Sequence, residues 1–297
     1  MQNNYILFKK QRDLGTIISD TFKFIRQEYK TIFRLYLKHV GWLLLLVVSA
    51  GTYYQYTSLN SANSLLENGA EGFLLNTFQN TGFSLLLVFL TSIAYSAMSL
   101  TTINSIIKSY VDNKGEIKDE EVSLYIGRFF GQTLLSLFVV GILCFIGFLL
   151  CFLPGVYLVV PLSLIFSVIV FQEKSFSDAF SECFQLIKQN WWITFATVLV
   201  ISILISLIGG IFQLPVVILR VILSAVETFT SLEEGAGTSG ALGLGNNWLY
   251  LTLYIFASIA QYILGLVTLI SLALIYFNLN EIHNKTGTLE DIDRIGS

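Results

Sequence analysis

The sequence is short of charged residues. Only 12% of its 297 residues are Asp, Glu, Lys or Arg, whereas 54% are hydrophobic and the mean hydropathy is +0.70. A soluble domain carries about 25% charged residues, so this chain has too few to cover a surface that faces water. The shortage excludes an ordinary soluble domain and predicts an integral membrane protein.

Cysteine and histidine are scarce as well. Cys144 and Cys151 lie in one apolar run, about 10 Å apart along a helix and beyond disulfide reach, so no disulfide framework is predicted. The two histidines, His39 and His283, are too few to build a metal-dependent hydrolase. Walker-loop, H-E-x-x-H and nucleophile-elbow motifs are also missing. We therefore predict no enzyme activity, with no catalytic residues, no metal site and no cofactor.

Six apolar runs are long enough to cross a bilayer, which takes about 20 mostly apolar residues. The predicted spans are residues 40–58, 82–107, 129–152, 156–172, 192–212 and 248–277. The predicted fold class is an all-α integral membrane protein with about six transmembrane helices in a single membrane domain over residues 1–297. Pro154 and Gly155 favour a turn, so residues 129–172 are interpreted as a helical hairpin, with a re-entrant pair as the alternative.

Lysine and arginine are distributed unevenly between the connections. Eight precede the first span, four lie between spans two and three, two lie between spans four and five, and two follow the sixth. Because basic residues favour the cytoplasmic side, both termini are predicted to be cytoplasmic, which places 16 of the 17 basic residues inside.

Arg220 is the exception, and it lies in the apolar stretch 209–229 together with Pro215. We predict that the helix breaks at Gly209-Gly210, and that residues 211–229 lie along the outer interface. A seventh span over this stretch is the alternative.

One short phrase occurs twice. "FKFIRQEYKTIF" at residues 22–33 and "FQLIKQNWWITF" at residues 184–195 share four of twelve positions, and each follows a Ser-Asp pair, which is typical of a helix N-cap. The apolar stripe of each copy predicts an amphipathic helix on the cytoplasmic side, over residues 12–37 and 175–190. The copies are interpreted as two interfacial anchors, or alternatively as a duplication that frames a groove for a lipid or a partner.

Basic and aromatic residues of these two phrases are the predicted anchors. Cytoplasmic basic residues each gain about 1 kcal/mol from anionic lipid, and tryptophans favour the membrane boundary. Membrane lipids are therefore predicted partners, and nucleic acid is not. The anchor residues are Lys23, Arg26, Lys30, Arg34, Lys188, Trp191 and Trp192.

The second span is rich in hydroxyl and amide side chains in its C-terminal half, among them Ser96, Ser99, Thr102 and Asn104. Such groups serve close contact between helices, or they line a polar groove. The cores of the six predicted spans contain no ionisable residue, which argues against a proton-coupled pump.

The stretch "FLPGVYLVVPLSLIFSVIVFQEKSFSDAFSECFQLIKQNWWITF", residues 152–195, carries a family resemblance. Its turn with Pro154, Gly155 and Tyr157, a helix ending at Glu173 and the amphipathic helix that follows resemble a bacterial six-helix membrane domain. That domain occurs fused to glycerophosphoryl diester phosphodiesterases and, more often, as uncharacterised stand-alone proteins. Pro161 departs from the family pattern, which often has a polar residue there. The resemblance implies the fold and a location in the bacterial inner membrane, but no activity.

Together these patterns favour a non-enzymatic multi-pass protein that serves as a scaffold or an accessory subunit of a membrane complex. Another membrane protein is then the expected partner. The alternative is a transporter or a lipid-handling membrane protein.

Overall fold

The computed structural model describes residues 5–234, 247–287 and 289, and all regular structure in these residues is helical. Eight α-helices and one π-helical turn, Thr77–Thr81, are present in this part of the chain. The α-helices are α1 Leu14–Asn76, α2 Gly82–Asp112, α3 Asp119–Leu150, α4 Phe152–Ser163, α5 Ile165–Gln172, α6 Phe176–Ile187, α7 Trp191–Glu234 and α8 Trp248–Asn284.

Six helical stretches among the described residues are long and apolar enough to cross a membrane. Each overlaps one predicted span, which confirms the all-helical class and the expectation of six helices long and apolar enough to cross a membrane. They are Leu14–Leu59, Thr77–Asp112, Asp119–Leu150, Phe152–Gln172, Trp191–Val226 and Trp248–Asn284.

The first helix is much longer than the span predicted within it. The predicted interfacial helix over 12–37 and the predicted span over 40–58 belong to one uninterrupted helix, α1, of 63 residues. Its length is about 95 Å at about 1.5 Å per residue. Between the two predicted segments the residues change from basic and polar to apolar, but the helix does not end. This part of the chain has no proline, and a side chain at Gly41 would contact only Leu37.

The predicted helix break at Gly209-Gly210 is wrong. Helix α7 continues through both glycines and through Pro215 to Glu234, so residues 211–229 extend the preceding span as one helix. A Cβ atom at Gly209 would overlap Gln261 Oε1 of α8 and lie 3.2 Å from its Cδ. This glycine therefore permits close contact between two helices rather than a break.

Helices α3 and α4 form the predicted hairpin, but they turn at a different residue. Cys151 alone connects them, in an extended conformation with φ −171° and ψ 149°. Pro154 and Gly155 lie in the first turn of α4, where a Cβ at Gly155 would stand 2.5 Å from the Phe148 ring. Gly155 thus lets α4 approach α3, and the proline lies where its missing N–H costs nothing.

The predicted Ser-Asp caps are wrong in both copies of the repeated phrase. Helix α1 begins after Asp13, whose Oδ1 accepts a hydrogen bond from Thr16 N at 2.9 Å. Helix α6 begins after Ser175, whose Oγ accepts from Asp178 N at 3.4 Å. Ser19 and Asp20 lie inside α1, and Asp20 forms an ion pair with Arg12.

The chain divides into two compact units, where the sequence predicted one domain. Unit 1 comprises Met1–Gly41, Ser96–Ile205 and Gly265–Ser297, and unit 2 comprises Trp42–Tyr95 and Ser206–Leu264. The core of unit 1 contains large aromatic side chains, including Phe8, Phe24, Tyr36, Tyr110 and Tyr276. Unit 2 has a smaller apolar cluster of Leu59, Val216, Tyr250 and Ala257.

Candidate functional site

The N-terminal segment, residues 5–13, is held against unit 1 by Phe8. The Phe8 ring is fully buried and makes edge contacts with Phe24, Tyr110 and Phe277, at centroid distances of 5.2, 5.7 and 5.4 Å. Tyr5 stacks on Tyr110 at 5.5 Å. This short segment is thereby fixed to helices α1, α2 and α8 by aromatic contact.

Arg12 is the second attachment of this segment. Its side chain has no solvent exposure, and its Nε donates to Asp20 Oδ2 at 2.9 Å. Its backbone N–H donates to Asn278 Oδ1 at 2.7 Å, and its Nη1 donates to the Phe8 carbonyl at 2.6 Å. Burial lowers the pKa of the Arg12 guanidinium from its ordinary value, and the Asp20 carboxylate opposes that shift.

Ion pairs connect the remaining segments at this end of unit 1. We refer to the N-terminal segment and the paired residues together as the charged end. Each pair joins two different elements or joins a helix to the adjoining turn. The pairs are Arg34–Asp119 at 2.9 Å, Arg128–Glu173 at 2.7 Å and Lys174–Glu182 at 2.9 Å.

A cavity of about 520 Å³ opens within the charged end. Its wall draws on the N-terminal segment, α2, α5, the α5–α6 turn, α6 and α8, all of them within unit 1. The lining residues are Lys9, Lys108, Val111, Asp112, Phe171, Gln172, Lys174, Glu182, Tyr276, Phe277, Asn280, Asn284 and Thr286.

Aromatic rings form one part of the cavity wall. Phe171 stacks on Tyr276 at 5.3 Å and contacts Phe277 at 4.7 Å. Gln172 Nε2 donates to the Tyr276 hydroxyl at 3.0 Å. The cavity therefore has a fixed apolar surface next to its polar groups.

Amide side chains near the end of α8 form another part of the wall. Asn284 Nδ2 donates to Asn280 Oδ1 at 2.8 Å, and Asn280 Nδ2 donates to Thr286 Oγ1 at 3.1 Å. Glu281 Oε2 accepts from Gly287 N at 2.7 Å. These bonds place several donors and acceptors at the cavity in a defined order.

Lys108 is the most enclosed cation of the cavity. Its side chain is only 10% exposed, and the nearest carboxylate oxygens are Glu173 Oε1 at 3.5 Å and Asp112 Oδ2 at 3.8 Å. A charge-assisted N–H···O bond is about 2.7–2.9 Å long. The Lys108 ammonium therefore has hydrogen-bonding capacity that these two carboxylates do not use.

The predicted family-motif residues do not form one site, because one of them lies near the cavity and the others lie at contacts between helices. Glu173 follows the last residue of α5 in a left-handed conformation, with φ 53°. Tyr157 of α4 stacks on Trp191 of α7 at 5.6 Å. Pro154 and Gly155 serve the contact between α3 and α4 described above. The motif therefore supports helix contacts, and only Glu173 lies near the cavity.

The predicted tryptophan anchors lie at the start of α7. Trp191 also stacks on Phe195 at 5.2 Å and meets Trp192 edge-on at 4.8 Å. Trp192 is 76% exposed. The nearby Lys188 is exposed as well.

The predicted basic anchors Lys23, Arg26, Lys30 and Arg34 all lie on exposed positions of α1. Phe22, Tyr29 and Phe33 lie in the same N-terminal part of this helix and are also exposed. Lys23, Arg26, Phe22 and Tyr29 help to line a shallow cleft on that surface. Basic and aromatic groups are therefore combined on one surface of α1.

Of the four polar residues predicted to line a groove in the second span, Ser99, Thr102 and Asn104 are buried inside unit 1. The Ser99 and Tyr36 hydroxyls are 2.9 Å apart, and Asn104 Oδ1 accepts from Ser167 Oγ at 3.2 Å. Thr102 is fully buried with no hydrogen-bond partner, and Ser96 is half-buried. Three of these four residues are therefore enclosed between helices.

The sequence reasoning did not single out Arg12, Lys108 or Asn280 as site residues. Lys108 follows an apolar span and was counted only as a topological charge, although a lysine that continues the buried face of a helix is a signal for an enclosed cation. Asn278 and Asn280 belong to the segment "LIYFNLNEIHN" near the end of α8, whose alternation of amides with apolar residues marks a buried polar network.

Comparisons of the chain with models of protein families, with curated proteins and with solved structures found no match.

Proposed function

We propose that the chain is a multi-pass protein of the bacterial inner membrane with both termini in the cytoplasm. Six helices of spanning length support the multi-pass arrangement, and the unequal distribution of lysine and arginine supports the orientation. In this orientation the charged end of unit 1 faces the cytoplasm. The resemblance of residues 152–195 to the bacterial six-helix domain agrees with this location.

In this proposal α6 and the first part of α1 lie at the cytoplasmic membrane surface. Helix α6 buries Ala179, Cys183 and Leu186 on one side and exposes polar residues such as Gln185 on another. The exposed surface of α1 combines basic with aromatic side chains, which suits the headgroup region of an anionic bilayer.

The proposed role is that of a non-enzymatic scaffold or accessory subunit of a membrane complex. The observation that carries this role is the ion-pair network of the charged end, which connects helices α1, α2, α3 and α6 with the α5–α6 turn and the N-terminal segment. Asp20, Asp119, Glu173 and Glu182 each have a basic nitrogen within 2.9 Å. These pairs hold neighbouring segments at fixed positions, which suits a docking surface.

Lipid handling is the second candidate, and the cleft on α1 favours it. Phe22, Ile25 and Tyr29 supply an apolar lining there, and Lys23 and Arg26 supply two cations. An acyl chain beside an anionic headgroup has this combination of chemistry. The transporter alternative has less support, because Ser99, Thr102 and Asn104 are enclosed between helices.

Purification from native membranes in mild detergent, followed by native mass spectrometry, tests the accessory role. We expect a complex with one other membrane protein at fixed stoichiometry. Charge reversal at Glu116 and Glu120, two exposed residues close in sequence to Asp119 of the charged end, should weaken that complex.

The matched control is Glu71→Lys, an exposed residue on the side predicted to be external, and it should leave the complex intact. Recovery of the wild-type chain alone, with only phospholipid bound, would contradict the accessory role. That result would favour the lipid-handling candidate.

A further inference from the structure

We infer that the hairpin of α3, α4 and α5 does not cross the membrane. It enters the bilayer from the cytoplasmic side, turns at Cys151 among lipid acyl chains and returns to the same side. The inference rests on the proposed multi-pass arrangement, with α6 and the start of α7 at the cytoplasmic membrane surface. It deepens that proposal, because it names a surface through which unit 1 contacts lipid.

The contact between Tyr157 and Trp191 fixes the depth of the turn. Trp191 Nε1 donates to the Tyr157 carbonyl at 3.4 Å, and the two rings stack at 5.6 Å. Trp191 begins α7, where the proposal places the cytoplasmic boundary. Cys151 lies only six positions before Tyr157, which is about 9 Å along a helix. The turn therefore lies at most about 9 Å beyond that boundary, whereas the hydrocarbon core is about 30 Å thick.

The position of α6 agrees with this shallow depth. Helix α6 packs against α5 and α4, and it runs back from the α5–α6 turn, where Lys174 pairs with Glu182 at 2.9 Å, to Trp191 beside α4. Polar and charged side chains are costly in hydrocarbon, so water or headgroups must lie beside the outer side of α6. The parts of α4 and α5 that α6 covers then lie at the same level. The exposed polar residues of α6 are Ser177, Asp178, Ser181 and Gln185.

The division of the chain into two units separates α3–α6 from the other helices. Helices α3, α4, α5 and α6 belong to unit 1 alone, whereas α1, α2, α7 and α8 each contribute to both units. The stretch made of α4 and α5 is also the shortest of the six, with 21 residues, whereas the four shared helices provide stretches of 36 to 46 residues. Four crossing helices, like six, leave both termini on the same side of the membrane.

The turn of the hairpin has no group that suits external water. Residues 137–156 contain no charged side chain, no hydroxyl and no amide, whereas the connection before α2, Thr77–Thr81, contains Gln79 and Asn80. The largest exposed side chains around Cys151 are all apolar and 70–77% exposed. An apolar surface of this kind marks a contact with a membrane or another protein. These side chains are Leu149, Leu150, Phe152 and Leu153.

The distribution of these side chains favours acyl chains over a protein partner. At the end of α3 the exposed residues surround the helix, and only Gly147 is buried there, where a Cβ would stand 3.1 Å from Leu158 Cδ1 of α4. A partner helix covers one face, whereas lipid surrounds a helix on all free sides. The exposed residues of this turn of α3 are Phe145, Ile146, Phe148, Leu149 and Leu150.

The backbone of the turn is suited to an apolar environment, in which polar groups must be bonded internally. Cys151 is the one residue between α3 and α4, and both of its backbone groups are bonded. Its N–H donates to the Gly147 carbonyl at 3.2 Å, and its carbonyl accepts from Gly155 N at 3.4 Å. Pro154, in the first turn of α4, has no N–H that needs a partner.

Spin labels on the purified full-length chain in phosphatidylcholine–phosphatidylglycerol vesicles measure the depth of the turn. One label is placed on Cys151, with Cys144 and Cys183 replaced by alanine. The reference is Trp192→Cys, at a position that is 76% exposed, in a chain without native cysteines. We expect the label at 151 to collide with oxygen more often than with a water-soluble nickel chelate, and to lie at most about 9 Å deeper than the label at 192. Gln185→Cys, on the exposed side of α6, is the water control and should show the opposite preference.

Labelling of intact spheroplasts tests whether the turn reaches external water. Cys151, in the same background, should react with a membrane-impermeant maleimide at least about tenfold more slowly than Glu71→Cys, because thiol reactions depend on access to the reagent. Reaction at the rate of Glu71→Cys would show that the hairpin crosses the membrane. If Glu71→Cys itself does not react, the proposed orientation is wrong, and the depth measurement still decides the position of the turn.

A charged side chain at the turn is the third test. Leu150→Lys, at a position that is 77% exposed, should lower the amount of protein in the membrane at least about twofold, because a lysine is costly among acyl chains. Gln185→Lys is the control and should leave that amount unchanged. Equal amounts of the two variants would place the turn in water.

The proposal is overturned if the nickel chelate collides with the label at 151 more often than oxygen does, because the turn then lies in water. It is also overturned if neither reagent reaches that label, because a second copy or another protein, rather than lipid, then covers the turn.

Discussion

Arg12 Nε and Asp20 Oδ2 lie 2.9 Å apart, with the arginine side chain completely buried and the aspartate side chain 12% exposed. The guanidinium also donates from Nη1 to the carbonyls of Phe8 and Lys10 and from Nη2 to the carbonyl of Leu7. This pair fixes the N-terminal segment, and with it Lys9 in the cavity wall.

Replacement of Asp20 by Ala should therefore destabilise the protein by about 3–5 kcal/mol, because it leaves a buried cation without its partner. Replacement of Arg12 by Met should cost less, since Asp20 keeps Lys10 at 3.0 Å. Thermal unfolding in detergent measures both effects, with Glu116→Gln as an exposed control. Equal stability of Asp20→Ala and the control would show that the pair does not hold the segment.

Two adjacent glycines of α7 should respond in opposite directions to alanine. Gly209→Ala introduces a Cβ that overlaps Gln261 Oε1, whereas a Cβ at Gly210 meets nothing within 4 Å. Gly210→Ala should stabilise the helix by about 0.5–1 kcal/mol, since glycine weakens a helix interior. Gly209→Ala should lower the unfolding temperature, and Gln261→Ala should restore it. A loss of stability in Gly210→Ala would indicate a break at this position after all.

The sequence predicted the helical class and the six spans because both depend on the length and composition of apolar runs. It did not predict where helices continue. Near residue 38 of α1 the residues change from basic and polar to apolar, but the backbone stays helical. Gly209 illustrates the same difficulty. Its role depends on Gln261, which is 52 positions away and belongs to another helix.

The candidate site was harder to predict than the fold. Its groups come from distant parts of the chain, as when Arg12 N bonds Asn278 Oδ1 across 266 positions. Lys108 lies at the end of a span, where sequence reasoning treats any lysine as a topological charge. Only the fold places it near Glu173 in the lining of a cavity that Tyr276 also lines.

The membrane orientation is tested by single cysteines in a chain whose native cysteines are replaced by alanine. Glu71→Cys should react with a membrane-impermeant maleimide in intact spheroplasts, because it lies on the side predicted to be external. Glu116→Cys should react only after permeabilisation. Both side chains are exposed, so a reversed pattern would mean that the orientation is wrong rather than that the sites are inaccessible.

The two adjacent tryptophans of α7 should differ in their effect on stability. Trp191 stacks between Tyr157 and Phe195 at 5.6 and 5.2 Å, whereas Trp192 is 76% exposed. Aromatic pairs contribute about 0.5–1.5 kcal/mol each beyond buried area. Trp191→Ala should therefore destabilise by at least about 1 kcal/mol more than Trp192→Ala, and Trp191→Phe should recover part of that loss. Equal effects in thermal unfolding would assign both residues to anchoring alone.

Cys183 should be unreactive in the folded protein, and this tests whether α6 is docked as described. Its side chain is fully buried, and burial raises the pKa of its thiol to about 12. At pH 8 the thiol is therefore neutral, and only the thiolate reacts rapidly with maleimides. With Cys144 and Cys151 replaced by alanine, labelling should appear only after denaturation.

The control is Gln185→Cys, an exposed position on the same helix, which should react at once in a chain that also carries Cys183→Ala. Rapid labelling of Cys183 in the folded chain would mean that α6 separates from unit 1, and the Lys174–Glu182 side of the cavity would then open with it.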